Sequence, residues 1–290
     1  MSNPNPAPAR SVLPRLREDR PLATVELRPP RTGLSSADTM ELWIDMYHSI
    51  QRLTRHDTII FLTDNAVGLS EEENLAHLTA NLAGDVDTSR IVPFLTSKHS
   101  IEYCLMHASR AASHGFEALT VLGGDHTVGP PRCVPHAREL RSLIRQRVPR
   151  LDLGGWTNPH RPAAEQVDYL LDDRFEAEFY LTQVVSHHSI RAVEQFLTEA
   201  RRRGVPHPGV FGVFLYRSAN PGTLARLADF FPVPAAELTR EFEAGLTAEE
   251  ICAKTVRALR DVGADKVYLS NLGFKQVDTQ YRRIVNLLEG

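Results

Sequence analysis

A single carboxylate interrupts an apolar segment near the start of the chain. Glu26 lies in residues 23–27, a run that otherwise reads as a buried β-strand. Strand alternation puts its apolar neighbours on one face and points Glu26 to the other, towards the interior. A buried carboxyl group either pairs with a cation, such as Arg28, or stays protonated because desolvation raises its pKa. The second alternative would make Glu26 a general acid.

Two further polar residues follow apolar runs and suit a flat, polar-edged ligand. Asp125 comes directly after Gly123 and Gly124, which allow a ring to approach the backbone closely. An N-cap role for Asp125 is the alternative, but no helix is predicted before about Pro135. Gln183 offers a carboxamide that can read an amide-like ring edge or, equally well, bond to a neighbouring loop.

An aromatic residue and a histidine share one predicted loop. Trp156 and His160 lie among two glycines and a proline in residues 154–160. A tryptophan on such a loop serves either as a stacking platform for a ligand or as a lid over the core.

The histidines and cysteines do not predict a metal site or a disulfide framework. The adjacent His187 and His188 cannot chelate as an i, i+4 helical pair does, and no HxH or HxxxH spacing occurs among the other histidines. The three cysteines lack CxxC spacing. A Walker A loop and a GxSxG motif are also missing from the sequence.

The elements that must position these residues alternate regularly. Eight strand-like runs start about thirty residues apart, except before the last, and lie at residues 23–27, 58–62, 91–95, 119–122, 151–153, 179–181, 210–215 and 266–269. Amphipathic helices are predicted between them, for example over residues 40–54, 71–81, 101–114 and 189–203. This pattern predicts a (β/α)8 barrel, with space for an extra helix or long loop around residues 232–245. A doubly wound sheet uses the same alternation, but no GxGxxG follows the first strand.

In such a barrel, chemistry belongs to the carboxyl ends of the strands. The chain supplies a polar residue after every predicted strand, so the expected site lies at this rim. The rim candidates, besides Glu26, Asp125, Trp156 and Gln183, are Thr63, Thr96, Gly124, His136, His160 and Asn271.

Composition limits the class of protein. With 33 basic and 36 acidic side chains in 290 residues, the chain lacks the basic excess of a nucleic-acid binder. No apolar stretch approaches the length of a membrane span, and residues 1–20 lack the core of a signal peptide. We therefore expect a cytoplasmic enzyme with a small-molecule partner and an apolar C-terminal helix that could support a homo-oligomer. The proline-rich residues 1–20, with solvated Arg15, Arg17 and Arg20, are predicted to be a disordered tail and residues 21–290 the barrel.

Taken together, these motifs resemble the methylenetetrahydrofolate reductase family, a group of (β/α)8 barrels. The resemblance runs from about residue 22 to residue 273, and its motifs are ATVELRPP at 23–30, LGGD at 122–125, GWTNPH at 155–160, LTQ at 181–183, PGV at 208–210 and VYLSN at 267–271. It implies that Glu26 donates a proton, that Asp125 lies near pterin and flavin, and that Gln183 contacts the pterin.

The sequence also departs from this family at several positions. Gly123 stands where the family usually has arginine, and Phe94 where it has histidine. Asp172 replaces a lysine that helps to hold the flavin, and would repel its pyrophosphate. Asp64-Asn65 and Leu272 are further differences. The residues that the resemblance assigns to pterin binding are retained better than those it assigns to flavin binding.

The resemblance therefore implies a folate one-carbon oxidoreductase. It would interconvert 5,10-methylenetetrahydrofolate and 5-methyltetrahydrofolate, with NAD(P)H as hydride donor and FAD either bound or lost. Asp125 would join Glu26 in catalysis, while Gln183 and Asn271 would bind substrate. Thr63, Thr96, Gly124, His136, Trp156 and His160 would contact the cofactor. The alternatives are a folate- or flavin-binding barrel with a different one-carbon reaction, and a barrel that binds without catalysis.

Overall fold

Eight parallel strands close into a barrel in the order of the chain. The computed structural model describes residues 12–30, 33–63, 86–124 and 129–290. The strands are β1 Leu22–Leu27, β2 Ile60–Leu62, β3 Ile91–Thr96, β4 Ala118–Leu122, β5 Asp152–Thr157, β6 Phe179–Val185, β7 Gly209–Phe214 and β8 Lys266–Ser270. Since β8 pairs with β1, the predicted (β/α)8 barrel is confirmed.

Helices pack around the outside of the barrel. The described helices are α1 Val12–Arg17, α2 Ser36–Leu53, α3 Ile101–Ser113, α4 Ala137–Arg147, α5 Ala163–Leu171, α6 Ile190–Arg203, α7 Pro221–Ala228, α8 Ala235–Glu243, α9 Ala248–Asp261 and α10 Val277–Glu289. The extra helix predicted between β7 and β8 is present as α8. The helix predicted over residues 71–81 lies outside the described residues. None of the helices described here has the length and apolar character needed to cross a bilayer.

The start of the chain corrects the tail prediction over its described part. Residues 1–11 lie outside the described residues, but α1 is helical and buries Val12, Leu13 and Leu16 against the barrel interior. Arg15 is only 2% exposed, donates to the carbonyl of Thr58 at 3.0 Å, and pairs with Asp57 at 2.6 Å. The high proline content of this segment made its short apolar pattern hard to recognise in the sequence. In the structure, α1 covers the barrel at the end where the strands begin.

Two strands are longer than the sequence pattern predicts. β5 continues through Gly154, Gly155 and Trp156, and β6 continues through Gln183. The two glycines are in the strand because aromatic rings need their space: a Cβ on Gly154 would meet Phe179, and a Cβ on Gly155 would meet the Phe175 ring. Trp156 is consequently a strand residue, not a loop residue as predicted.

The side chains of β1 point alternately to the helix layer and to the barrel interior. Ala23, Val25 and Leu27 belong to the core between strands and helices, as the alternation predicts. The inner face is lined by aromatic side chains, with the Phe61 ring centroid 6.0 Å from Phe94 and 6.3 Å from Tyr268. Glu26 is the neighbour of Phe61 in the strand register. The aromatic layer therefore forms a floor beneath the open, carboxyl end of the barrel.

Candidate functional site

Glu26 is held near the top of the lumen, at the end of β1. It is 9% exposed, and burial raises the pKa of its carboxyl group above the ordinary value. Arg28 and a hydrogen bond from Ser270 oppose that shift. The Arg28 Nε–Glu26 Oε1 distance is 3.8 Å and the Arg28 side chain is 72% exposed, so this ion pair is screened by solvent. Burial and the nearby Arg28 thus shift the pKa of this carboxyl group in opposite directions, and burial has the larger effect.

Further aromatic side chains lie at and after the carboxyl ends of β5 and β7. Phe214 at the end of β7 lies 5.0 Å from Tyr216 and 5.3 Å from Phe231, measured between ring centroids. Trp156 on β5 is half-buried and packs against the same interior cluster. We call Glu26, Trp156, Phe214 and Tyr216 the rim cup. Its mixture of one carboxyl group and several aromatic faces suits a planar heterocycle.

The loop after β4 is held by contacts within itself and by a hydrogen bond from Ser97, after β3, to the carbonyl of Gly123 at 2.9 Å. Gly124 has a left-handed φ of 72°, which favours glycine, and its carbonyl accepts a hydrogen bond from Arg132. The Arg132 guanidinium also lies against Gly123, where any Cβ would contact it. The Arg132 guanidinium thus lies beside position 123, where the resemblance implies an arginine. Asp125 lies outside the described residues.

Gln183 lies at an irregularity between β6 and β7. Its Oε1 accepts a hydrogen bond from its neighbour Val184 at 2.9 Å, and its Nε2 donates a long one, 3.4 Å, to the carbonyl of Phe230. The bond to a neighbouring loop is one of the two roles the sequence left open. The length of the Phe230 bond leaves the amide group exchangeable for a ligand.

Three other rim candidates are engaged with the ends of the strands. Asn271 has a left-handed φ of 69°, and its Nδ2 donates to the carbonyl of Leu215 at 2.9 Å, which joins the ends of β7 and β8. Thr63 donates to the carbonyl of Leu27 at 3.4 Å, and Thr96 is buried at the end of β3. In this structure Asn271 and Thr63 therefore organise the rim backbone.

The two candidate histidines lie in the segments that follow β4 and β5. His136 is the exposed N-cap residue of α4, and its side chain makes no capping hydrogen bond. His160 Nε2 lies 2.9 Å from the carbonyl of Val184, so its ring links the β5 loop to the end of β6. His160 supports the neighbourhood of Gln183, while His136 is separate from the rim cup.

The cofactor that the resemblance implies is FAD. A flavin dinucleotide needs donors directed at its pyrophosphate. On the β3 to β5 side, Lys98 donates to the carbonyl of Pro130 at 2.8 Å, Arg132 to that of Gly124, and Arg138 pairs with Asp172 at 2.7 Å. These described cations bond to the protein itself and do not fit an FAD pyrophosphate.

Asp172 itself differs from the sequence expectation. It pairs with both Arg138 and Arg174, and the hydrogen bond from Arg174 is the largest cause that lowers the pKa of Asp172 to about 2. The carboxylate is therefore already neutralised by two guanidinium groups and does not act as an isolated negative charge.

One cluster was missed by sequence reasoning. His187 and His188, in the 3-10 turn His187–Ser189 after β6, both contact Glu241 of α8. Burial raises the pKa of Glu241, but hydrogen bonds from Lys254 and both histidines outweigh it and lower that pKa to about 2. Burial and the neighbouring His188 lower the pKa of His187. Glu241 lies 54 residues from His187, and no local spacing signals such a contact.

Comparison with known proteins agrees on the architecture. The sequence matches no protein-family model and no curated protein. Among solved structures, an uncharacterized protein from Clostridium thermocellum that binds two copies of 5-methyl-5,6,7,8-tetrahydrofolic acid is similar with a TM-score of 0.68, 14% identity and coverage of 96% of this chain and 99% of that one. An F420-dependent secondary alcohol dehydrogenase in complex with an F420-acetone adduct is similar with a TM-score of 0.55, 11% identity and coverage of 93% and 99%. At these identities the similarity shows the fold.

Proposed function

We propose that this barrel is a folate one-carbon oxidoreductase, which interconverts 5,10-methylenetetrahydrofolate and 5-methyltetrahydrofolate. The observation that carries the proposal is the buried carboxyl group of Glu26, with its raised pKa, above an aromatic floor at the rim where (β/α)8 barrels do chemistry. The similar protein that binds methyltetrahydrofolate supports the ligand class, because its fold covers nearly all of both chains.

Glu26 supplies the proton of the reaction. Protonation of the N10 nitrogen by the Glu26 carboxyl group breaks the bond from N10 to the bridging carbon and leaves an iminium at N5. A hydride from NAD(P)H, bound as the second substrate, then reduces that carbon to a methyl group. The products are 5-methyltetrahydrofolate and NAD(P)+, and Glu26 regains its proton from solvent. Burial raises the pKa of this carboxyl group, which favours the protonated form that donates to the nitrogen.

The rim cup would orient the pterin. Trp156 and Phe214 offer aromatic faces for stacking, and the Gln183 carboxamide could exchange its long bond to Phe230 for the amino-ring edge. Asp125 is proposed as a second carboxylate at this edge, and Asn271 as a residue that holds the ends of β7 and β8 around the ligand. Proximity then converts proton and hydride transfer into steps within one complex.

Steady-state turnover tests the role of Glu26. Glu26→Gln keeps the shape but cannot donate a proton, so turnover of methylenetetrahydrofolate with NADH or NADPH should fall about 10²–10⁴-fold. The matched control is Glu243→Gln, at an exposed position of α8, which should keep the wild-type rate. Equal rates for Glu26→Gln and wild type would remove Glu26 from the mechanism. Parallel assays with added FAD, read by the visible spectrum, determine whether the chain binds flavin although the cations described above bond to the protein itself.

Tryptophan fluorescence tests the location of the folate. The chain has two tryptophans, Trp43 on α2 and Trp156 in the rim cup. In Trp43→Phe, the remaining Trp156 emission should be quenched on titration with 5-methyltetrahydrofolate, after correction for ligand absorbance. In Trp156→Phe, the Trp43 emission should stay unchanged. Quenching of Trp43 alone would place the ligand outside the barrel, and the rim cup would lose its assignment.

A further inference from the structure

Three side chains of metal-ligand type converge outside the rim cup. His187 Nε2 lies 2.9 Å from Glu241 Oε1, and His188 Nε2 lies 3.2 Å from Glu241 Oε2. One ligand atom from each residue lies within 4.8 Å of the others. The side chains of His187 and Glu241 are about nine-tenths buried. The cluster joins the end of β6 to α8, in the segment inserted after β7.

The adjacent histidines act together because they lie on a tight turn and not within an α-helix. Ser186 precedes the turn in an extended conformation, and its hydroxyl accepts a hydrogen bond from the backbone N–H of His188. The two rings lie side by side, with their centroids 3.9 Å apart. Both rings therefore face the same carboxylate, an arrangement that helical i, i+4 spacing does not describe.

A hydroxyl group contacts the second ring nitrogen of His187. The Thr255 hydroxyl donates to the carbonyl of Ile251 at 3.2 Å, as a helical threonine commonly does, and its oxygen lies 2.8 Å from His187 Nδ1. When the His187 proton is on Nδ1, Thr255 accepts it, and Nε2 carries the lone pair that a metal ligand needs. A hydrogen-bonded Nδ1–H is also the usual support of a metal-ligating histidine.

We propose that His187, His188 and Glu241 bind a divalent transition metal ion of the zinc type. Two imidazole nitrogens and one carboxylate oxygen form a ligand set that Zn²⁺ accepts, with a fourth position left for water or an external ligand. Zinc bonds of about 2.0–2.2 Å in a tetrahedron place ligand atoms roughly 3.3 Å apart. The two histidine–carboxylate distances, 2.9 and 3.2 Å, are close to that separation. The bound ion would fasten α8 to the end of β6. This proposal does not depend on the folate reaction.

Lys254 competes with the metal for the same carboxylate. Its Nζ lies 2.6 Å from Glu241 Oε1, where its positive charge compensates the carboxylate. The Lys254 side chain is 52% exposed and can turn into solvent when an ion binds. Removal of this ammonium group should therefore tighten metal binding, a result that a simple ion-pair network does not predict.

Metal titration of the full chain tests the site. After treatment with a chelator and removal of it, the protein is titrated with Zn²⁺ against a chromophoric chelator, and separately with Co²⁺ to record its visible absorption. We expect one equivalent of Zn²⁺ per chain. His188→Ala and Glu241→Gln should weaken binding at least about tenfold, and Lys254→Met should strengthen it. The control is His207→Ala, a histidine beside Phe175 and away from the cluster, which should leave the affinity unchanged.

The two variants of the cluster separate the outcomes. Thermal unfolding without metal shows whether Glu241→Gln is folded. If Glu241→Gln is unfolded, His188→Ala still tests the site, because His188 is a more exposed ligand. Loss of zinc binding in His188→Ala together with tighter binding in Lys254→Met supports the site. Absence of stoichiometric binding to wild type, or equal affinity in wild type, His188→Ala and Lys254→Met, would overturn it and leave an ion-pair network among these residues.

Discussion

At the residue scale, strand periodicity alone predicts the direction in which Glu26 points. Period-two alternation points this carboxyl group into the lumen, and the structure places it there with a raised pKa. The cluster of His187, His188 and Glu241 shows the opposite case. Its members come from a turn and a helix that only the folded barrel brings together, so their spacing in the chain carries no signal.

The titration of Glu26 makes stability depend on pH. Because the folded pKa is raised above the ordinary value of 4.5, the native state holds this proton in a range where the unfolded chain has lost it. The favourable contribution is complete below the unfolded pKa and is lost as pH rises through the folded pKa, at up to about 1.4 kcal/mol per pH unit. Glu26→Gln should therefore gain stability relative to wild type as pH rises above 4.5.

Urea unfolding of both proteins at pH values from 4 to 8 measures this difference, with Glu243→Gln as the exposed control. We expect the free-energy difference between Glu26→Gln and wild type to change with pH and that of the control to stay nearly constant. A pH-independent difference for Glu26→Gln would mean that the carboxyl group has the same pKa in the folded and unfolded states.

At the element scale, the number and order of the strands follow from the sequence, but their ends do not. The sequence pattern ended β5 at Leu153, since a pair of glycines usually indicates a turn. In the structure the same glycines let the Phe179 and Phe175 rings pack on the strand from its two faces. Such packing is a property of the assembled layers, so single-sequence patterns could not show that Trp156 belongs to β5.

Substitution of one of these glycines tests the packing argument. Gly155→Ala introduces a methyl group where the Phe175 ring lies, which overpacks the layer between barrel and helices and should cost about 1–3 kcal/mol of unfolding free energy. The matched change is Gly222→Ala in α7, where the position is exposed and an added Cβ has room. Chemical denaturation should show this control within about 0.5 kcal/mol of wild type. Equal stability of the two variants would mean that Phe175 moves aside without cost.

At the scale of the whole molecule, the two ends of the barrel have different tasks. Helix α1 covers the end where the strands begin, and the rim cup opens at the other. In (β/α)8 barrels the first end serves stability and the second serves chemistry. The sequence places the candidate site at the second end, because polar residues follow every predicted strand. It did not predict that α1 packs over the first end, because the apolar residues of α1 lie within a proline-rich segment.

This division of labour predicts that stability and ligand binding respond to different substitutions. Arg15→Ala removes a side chain that is 2% exposed and bonds to Thr58 and Asp57, so it should cost about 2–3 kcal/mol of unfolding free energy. Arg17→Ala, on the exposed side of the same helix, should cost less than about 0.5 kcal/mol.

Neither variant should change the dissociation constant for 5-methyltetrahydrofolate more than about twofold at a temperature where both are folded, because α1 lies at the opposite end from the rim cup. Fluorescence titration in the Trp43→Phe background measures that constant. If Arg15→Ala weakened binding strongly while fully folded, the two ends would be coupled and the ligand site would extend beyond the rim.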